Sequence, residues 1–310
     1  MLDGRHEALL LLDSATFVSR RLTLGGATVS DYQRIRPAIS FYEQIVRAAC
    51  GTDFKNQTAT QFSDLHAKYY SKTDNPDYSA QIKKFCYLYK YSVAHGYYIY
   101  SVLRRLNPKV RPPIFSRPVT RVACIGGGPG TELIGIARFI RHAEQEHAGK
   151  KVEVTIFDKE ISWKASCQKI LECVKGNLDI SFKFVVFDAT DVATYQNLDF
   201  SIFHLVMSNF FMSEIRKAKI VGLSANFWKH LFSSMGPSKM FVAVDFADNE
   251  GLGWKYVNSI LPKNSVVVLS DQSIDMSCPD DKTCIHDLSV EIDHRPKKNA
   301  TNFVCAIITG

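Results

Sequence analysis

The chain lacks the framework of a secreted or membrane protein. Its 310 residues hold eight cysteines (Cys50, Cys86, Cys124, Cys167, Cys173, Cys278, Cys284, Cys305) but no CxxC pair, and Cys124 and Cys305 fall inside apolar runs. Scattered thiols of this kind exclude the disulfide scaffold of a short extracellular chain and predict reduced cysteines in a cytoplasmic or nuclear protein. No run of about 18 apolar residues occurs, so no membrane span and no membrane partner are expected. The apolar stretch from Ala8 to Leu12 is closed by Asp13 without a small-residue cleavage site after it, unlike a signal peptide. Internal repeats and low-complexity segments are also missing. Acidic excess is missing too: 38 Lys and Arg face 31 Asp and Glu, a net +7 that gives a mild bias toward anionic partners.

What remains is ordinary globular composition, 46% hydrophobic and 22% charged, in a chain long enough to bury a core without staples. The charge is unevenly placed. Between Lys68 and Arg121 eleven basic residues face only Asp74 and Asp77, and nine of the thirteen tyrosines fall in the same stretch. Residues 107–120 (NPKVRPPIFSRPVT) carry four of the eleven prolines, each of which removes a backbone donor and stops a helix. A boundary is therefore placed there, dividing residues 1–118, a helical lid or substrate domain ending in the Pro-rich linker, from residues 119–310.

Before the boundary the apolar spacing predicts helices over Tyr32–Ala49 and Ile82–Leu106. After it, short apolar runs at Val119–Ile125, Val152–Phe157, Phe182–Phe187, Ile202–Ser208 and Met240–Asp245 alternate with helical patterns at Glu132–Glu146, Ser162–Val174 and Ala225–Phe232. Continuous apolar strands alternating with helices predict an open α/β sheet, parallel and covered on both faces. The tail changes character. Val266–Leu269, Val290–Ile292 and Phe303–Ile308 follow one another without a helix and predict an antiparallel edge.

The strongest local signal is Arg121–Ile134, RVACIGGGPGTELI, in which a strand runs through Gly126, Gly127, Gly128 and Gly130 into a helix. Such a turn permits positive φ and brings a ligand against backbone amides. A dinucleotide fingerprint fails because Thr131 and Leu133 stand where its last glycine is required, and no lysine completes a phosphate loop. The remaining GxGxG pattern resembles that of the class I S-adenosylmethionine-dependent methyltransferases, over about residues 119–310. The resemblance implies a Rossmann-like α/β sheet, mostly parallel with an antiparallel edge, joined to the N-terminal helical domain, and S-adenosyl-L-methionine as cofactor.

It also implies site residues. Asp158, ending the second strand beside Lys159, would accept from the ribose hydroxyls. Asp188, ending the third, would accept from the adenine amino group, with the Ala189 amide against the ring. Ser208 and Asn209 end the fourth strand, where methyl donor and acceptor meet. The family usually carries an acid two residues before the first glycine, where this chain has Cys124. Glu132 is read either as the replacement charge facing the methionine ammonium or as a favourable anion in the first helical turn.

Methyl transfer asks the protein mainly to align two partners and exclude water. Asn209, Phe210 and Glu214 are the candidate catalytic residues: an amide to read a ring edge, an aromatic face to stack on it and a carboxylate to take a proton. Phe210 and Phe211 are equally read as core, and His204 as a core histidine or a second proton acceptor. The GGGPG(S/T)E form is similar to that of the fungal large-subunit ribosomal RNA uridine N3 methyltransferases. RNA is the expected acceptor, with a uridine ring nitrogen as the atom, ahead of a small molecule or a protein. A cofactor-binding sensor or scaffold without catalysis is the alternative. Lys83, Lys84, Arg104, Arg105, Lys109 and Arg111 are the candidate RNA contacts, while the tyrosine stripe Tyr89, Val93, Tyr97 and Tyr100 suits core or a lid over the cofactor. Cys278, Cys284, His286 and His294 share a loop, but their spacing matches no common zinc motif, so no metal is expected.

Overall fold

The computed structural model describes residues 29–71, 77–110, 112–142, 149–215, 221–246, 255, 258–277, 285–297 and 299–310. Seven strands form one sheet: β1 (Val119–Ile125), β2 (Lys151–Asp158), β3 (Ile180–Val186), β4 (Leu205–Asn209), β5 (Met240–Phe246), β6 (Val266–Ser277) and β7 (Asn299–Ile308). Their order is β3-β2-β1-β4-β5-β7-β6. The first five are parallel, with Val122 opposite both Val154 and Leu205, whereas β7 runs antiparallel to β5 and to β6. Strand order reverses between β1 and β4, which opens a crevice at their carboxyl ends.

Alternate residues of the strands point to opposite faces and fill two cores. Val122, Cys124, Val154, Ile156 and Val242 join the larger one with the N-terminal helices, while Ala123, Ile125, Val206, Phe241 and Cys305 face Phe227, Trp228 and Leu231 on the other side. The helices are α1 (Asp31–Cys50), α2 (Phe54–Tyr70), α3 (Gln81–Leu106), α4 (Thr131–His142), α5 (Trp163–Lys175), α6 (Met212–Ile215), α7 (Val221–Met235) and α8 (His286–Glu291). Helix α1 starts on a capping box in which Ser30 and Gln33 satisfy one another's backbone amides. It is tied to the sheet layer by an Asp31–Arg138 ion pair and by the Tyr42 hydroxyl, 2.6 Å from Ser166 Oγ.

Helix α3 lies on α4 almost backbone to backbone. A methyl group on Gly135 would sit 2.5 Å from the Gly96 carbonyl, and one on Gly96 would sit 2.7 Å from Ile134 Cβ. This close crossing brings the first half of α3, with its tyrosines, to the carboxyl ends of the strands. The N-terminal helices and the sheet share one continuous buried core.

The five parallel strands fall where the apolar runs predict them, with β4 starting later because Phe200–Ile202 forms a tight turn capped by Asp199. Two readings need correction. Val290–Ile292 is no strand: Leu288 and Ile292 are buried four residues apart, and the Ile292 amide donates to the Leu288 carbonyl, closing α8. Helix α2 was absent from the expected set because its buried face, Phe54, Thr58, Phe62 and Leu65, is diluted by polar residues. Among the described residues no helix is long and apolar enough to cross a membrane.

Candidate functional site

Strand β1 ends at Ile125, and the chain turns through Gly126, Gly128 and Gly130 with φ of 63°, 47° and 87°, values that side chains other than glycine rarely adopt. The Gly126 amide donates to the Phe157 carbonyl at 2.8 Å, anchoring the turn to the end of β2. A Cβ on Gly126 would lie 2.2 Å from the Phe211 ring, so glycine is required by space as well as by conformation. Gly127 packs on Ile156 and Gly130 on Leu133 and Cys167. These two shape the loop from behind.

Asp158 closes over the turn. One carboxylate oxygen accepts from the Gly128 amide and the other from the Glu160 amide, both at 2.9 Å. Burial pushes its carboxyl up to about 6 against those two amides, which pull it down. Asp188 is fixed similarly: one oxygen accepts from the Thr190 amide at 2.8 Å and from its hydroxyl at 2.7 Å.

The ends of β1 to β4 border a cavity of about 340 Å³. Gly126, Gly128, Asp158, Lys159, Asp188, Ala189, Asn209, Phe210, Phe211 and Glu214 all line it, so ten residues named from the sequence converge. Gly127, Gly130, Glu132 and Ser208 are absent from that lining and stand behind the wall. Asn209 is 6% exposed, its amide lies close to the buried Glu132 carboxyl, and neither its nitrogen nor its oxygen makes a hydrogen bond of ordinary geometry. Leaving such a group unpaired costs about 1–3 kcal/mol. The next residue, Phe210, has φ 58°, a strained value for a bulky side chain. Its amide donates to the Val244 carbonyl at 2.7 Å and its ring stacks on His95 at 4.0 Å, so Phe210 braces the wall and the more exposed Phe211 is left beside the glycine turn.

Glu132, in the first turn of α4, is 1% exposed. Burial pushes its carboxyl up to about 8, opposed by its own backbone amide and by the nearby Asn209 amide. Cys124 lies next to it, its thiol raised by burial and by Glu132.

The other wall was not read from the sequence. Tyr78, Tyr87 and Trp163 also line the cavity, with Tyr78 and Tyr87 ring centres 5.2 and 5.7 Å from that of Trp163. The Tyr87 hydroxyl is 3.3 Å from His95 Nδ1. Burial and Lys297 hold His95 far below its ordinary value, which keeps it neutral. Tyr87, Tyr91 and His95 recur every fourth residue, a signal present in the sequence but masked by the neighbouring stripe. Of that stripe, Tyr89, Val93 and Tyr100 are core, and Tyr97 lies against Arg138.

The basic residues of α3 do not form one patch. Lys84 is 2% exposed with its ammonium 5.9 Å from the Trp163 ring centre, which removes it from the surface contacts expected of it. Lys83 pairs with Asp77 at 3.3 Å beside the cavity. Arg104, Arg105 and Lys109 are exposed at the far end of the helix, and Arg111 lies outside the described residues. His204 precedes β4 at the end of the sheet opposite the cavity, where its Nδ1 accepts from the Arg121 amide at 2.9 Å, so the proton-acceptor role weighed for it does not hold. His294 stacks on Phe62 with ring centres 3.9 Å apart, and Cys278 and Cys284 lie outside the described residues. Among the described residues no cluster of three metal-ligating side chains occurs.

The profile of a family described as "Putative SAM-dependent methyltransferase" matches residues 52–250. No curated protein matches the chain. Among solved structures, one described as a "putative class I S-adenosylmethionine-dependent methyltransferase" from Listeria monocytogenes is similar with TM-score 0.46 and 8% identity, over 90% of this chain and 88% of that one. The N-methyltransferase NodS from Bradyrhizobium japonicum in complex with S-adenosyl-L-homocysteine gives 0.39 and 12%, over 80% and 98%. The O-methyltransferase TomG from Streptomyces achromogenes in complex with SAM gives 0.39 and 13%, over 82% and 90%.

Proposed function

Because the chain belongs to the SAM-dependent methyltransferase family, with S-adenosylmethionine as its cofactor, we propose that its methyl acceptor is an RNA base and that the acceptor atom is a uridine ring nitrogen. The residues at the strand ends fit the cofactor. Asp158 has both oxygens fixed by amides and keeps lone pairs on the cavity side for the ribose hydroxyls. Asp188 and the Ala189 amide stand one strand further on for the adenine, and the glycine turn leaves the space that side chains would fill.

When bound, the cofactor supplies an electrophilic methyl carbon on a sulfonium, so little covalent chemistry falls to the protein. Its residues align the acceptor and move one proton. The observation that carries the RNA reading is Asn209: a buried amide at the cavity wall, beside the Glu132 carboxyl and immediately before Phe210 and Phe211 in the chain, with no side-chain hydrogen bond of ordinary geometry. The NH2 of such an amide can donate to a pyrimidine carbonyl beside the ring nitrogen and leave that nitrogen itself free for the methyl group, and Phe211 offers a ring face for stacking. Glu214, half-buried on the same wall, is the carboxylate placed to accept the proton that a ring nitrogen must lose. Phosphate contacts would come from Lys83 at the cavity and from Arg104, Arg105 and Lys109, about 30 Å further along α3 at 1.5 Å per residue.

Incubation with radiolabelled S-adenosylmethionine and fractionated RNA, protein and metabolites tests the assignment, with Asp158→Ala as control. Label in RNA that disappears in the variant is the expected result. Label in protein or metabolites, or none in any fraction while the cofactor still binds, overturns the RNA acceptor; the last outcome is that of a sensor or scaffold.

A further inference from the structure

Two lysines beside the acceptor wall are brought together without a counter-charge. Lys90, on α3, and Lys297, just before β7, are both part-buried, and neither makes an ion pair among the described residues. Their backbones meet, the Lys297 amide donating to the Lys90 carbonyl at 2.7 Å. Their side chains converge as well: the ammoniums lie 5.5 and 5.7 Å from the centre of the Tyr91 ring, so both charges sit against one ring. Lys297 Nζ is also 4.4 Å from the Phe246 ring centre and 5.6 Å from that of Phe210. Ring faces attract a cation but leave its N–H donors unspent.

The carboxylate that acts on Lys297 is Asp245 at the end of β5, whose oxygens already accept from the Ser213 and Phe246 amides at 2.6 and 2.7 Å. Burial holds the Lys297 ammonium down at about 8, with Lys90 pushing the same way and Asp245 opposing, and burial lowers Lys90 too. Two cations held close without an anion repel each other, and an incoming anion relieves that repulsion. The pair stands on the acceptor side of the site. Tyr91 is one helical turn from Tyr87, which lines the cavity, and one turn from His95, which stacks on Phe210. By contrast, Lys83 is paired with Asp77, and Arg104, Arg105 and Lys109 lie at the far end of α3.

We propose that Lys90 and Lys297 form a phosphate subsite, which holds the phosphodiester next to the target nucleotide while its base enters the cavity. The source of the phosphate rests on the RNA reading; the subsite itself rests on the lysine pair. Residue type favours phosphate over carboxylate. A lysine binds as a point charge with three rotatable donors, and two of them suit a tetrahedral anion, whereas carboxylates are better matched by the planar fork of an arginine. The cavity supplies a second reason. Asp77, Asp158, Glu160, Asp188 and Glu214 line it against the single cation Lys159, so a base can enter but its phosphate is repelled and needs basic side chains beside the opening.

The test measures binding of single-stranded oligouridylate, uridine monophosphate and uridine to the full chain. The native protein is compared with a double variant, Lys90→Met with Lys297→Met, which keeps both stems against the rings and removes both charges. Oligouridylate should bind the variant roughly tenfold more weakly, with a salt dependence flatter by about 0.7 for each lysine lost. Uridine and S-adenosylhomocysteine should bind both proteins alike, which shows that the site is still folded. Lys90→Met alone, whose charge is not among those over the Phe210 ring, should give half of the slope change, and arginine at both positions should restore the affinity. Equal binding of both phosphate-bearing probes by native and variant proteins, or an equal loss of uridine, would overturn the subsite and leave the RNA reading standing. Lysine-dependent binding of uridine monophosphate without binding of oligouridylate would keep the subsite and remove RNA as its source.

Discussion

Replacing Glu132 by glutamine should stabilise the cofactor-free protein at neutral and alkaline pH. The carboxyl titrates at 4.5 when solvated and at about 8 when buried, so the folded protein holds a proton that the unfolded chain has released. A group raised in this way contributes stability in full below 4.5 and loses it as pH climbs through 8. At 1.36 kcal/mol per unit, the loss is on the order of 3 kcal/mol at pH 7 and 5 kcal/mol above pH 8.5. Glutamine keeps the shape and does not titrate. Asp158 adds a parallel loss between 3.8 and about 6 that both proteins share. Urea unfolding of cofactor-free protein from pH 5 to 9 measures the effect; bound cofactor would obscure it, because a ligand of the native state adds its own stabilisation. The two stability curves should nearly meet at pH 5 and separate by several kcal/mol at pH 8.5. Curves that stay parallel would refute the idea of a neutral buried acid.

Alanine at Gly126 places a methyl group 2.2 Å from the Phe211 ring at φ 63°; cofactor affinity in calorimetry should fall at least tenfold while the circular dichroism spectrum is retained. Alanine at Gly135 meets the Gly96 carbonyl at 2.5 Å, and because backbone cannot step aside cheaply, urea unfolding should show a loss of about 1–3 kcal/mol. Replacing Lys83, Arg104, Arg105 and Lys109 by glutamine should lower RNA affinity and flatten its dependence on salt by up to about 0.7 per lost phosphate contact on single strands, without changing cofactor binding.

The sheet was legible because parallel strands buried on both faces leave uninterrupted apolar runs, and Val119–Ile125 or Met240–Phe246 could hardly be anything else. Legibility failed where burial was thin. Helix α2 hides its buried face behind Thr58 and a polar surface, and α8 is too short for its single pair, Leu288 and Ile292, to establish a period. Charge misled for a related reason: Lys84 counts as basic in any tally, yet its stem is buried and its ammonium lies over Trp163.

The site divides along the same physical line. Gly126, Asp158, Asp188 and Asn209 could be named in advance because each is local to a strand end, and topology alone brings strand ends together. Tyr87, and the His95 that it contacts, could not, since what brings Tyr87 to the cavity is the depth at which α3 settles on α4. That depth depends on two glycines, Gly96 and Gly135, 39 residues apart and unremarkable in sequence. Were either side chain larger, α3 would ride outward, and His95 would leave the Phe210 ring, now stacked at 4.0 Å. Phe210 holds a positive φ, an unfavourable conformation that persists only while its surroundings enforce it. The position of Asn209, the amide on which acceptor recognition is proposed to depend, therefore rests on a helix crossing remote from the motif that announces the cofactor.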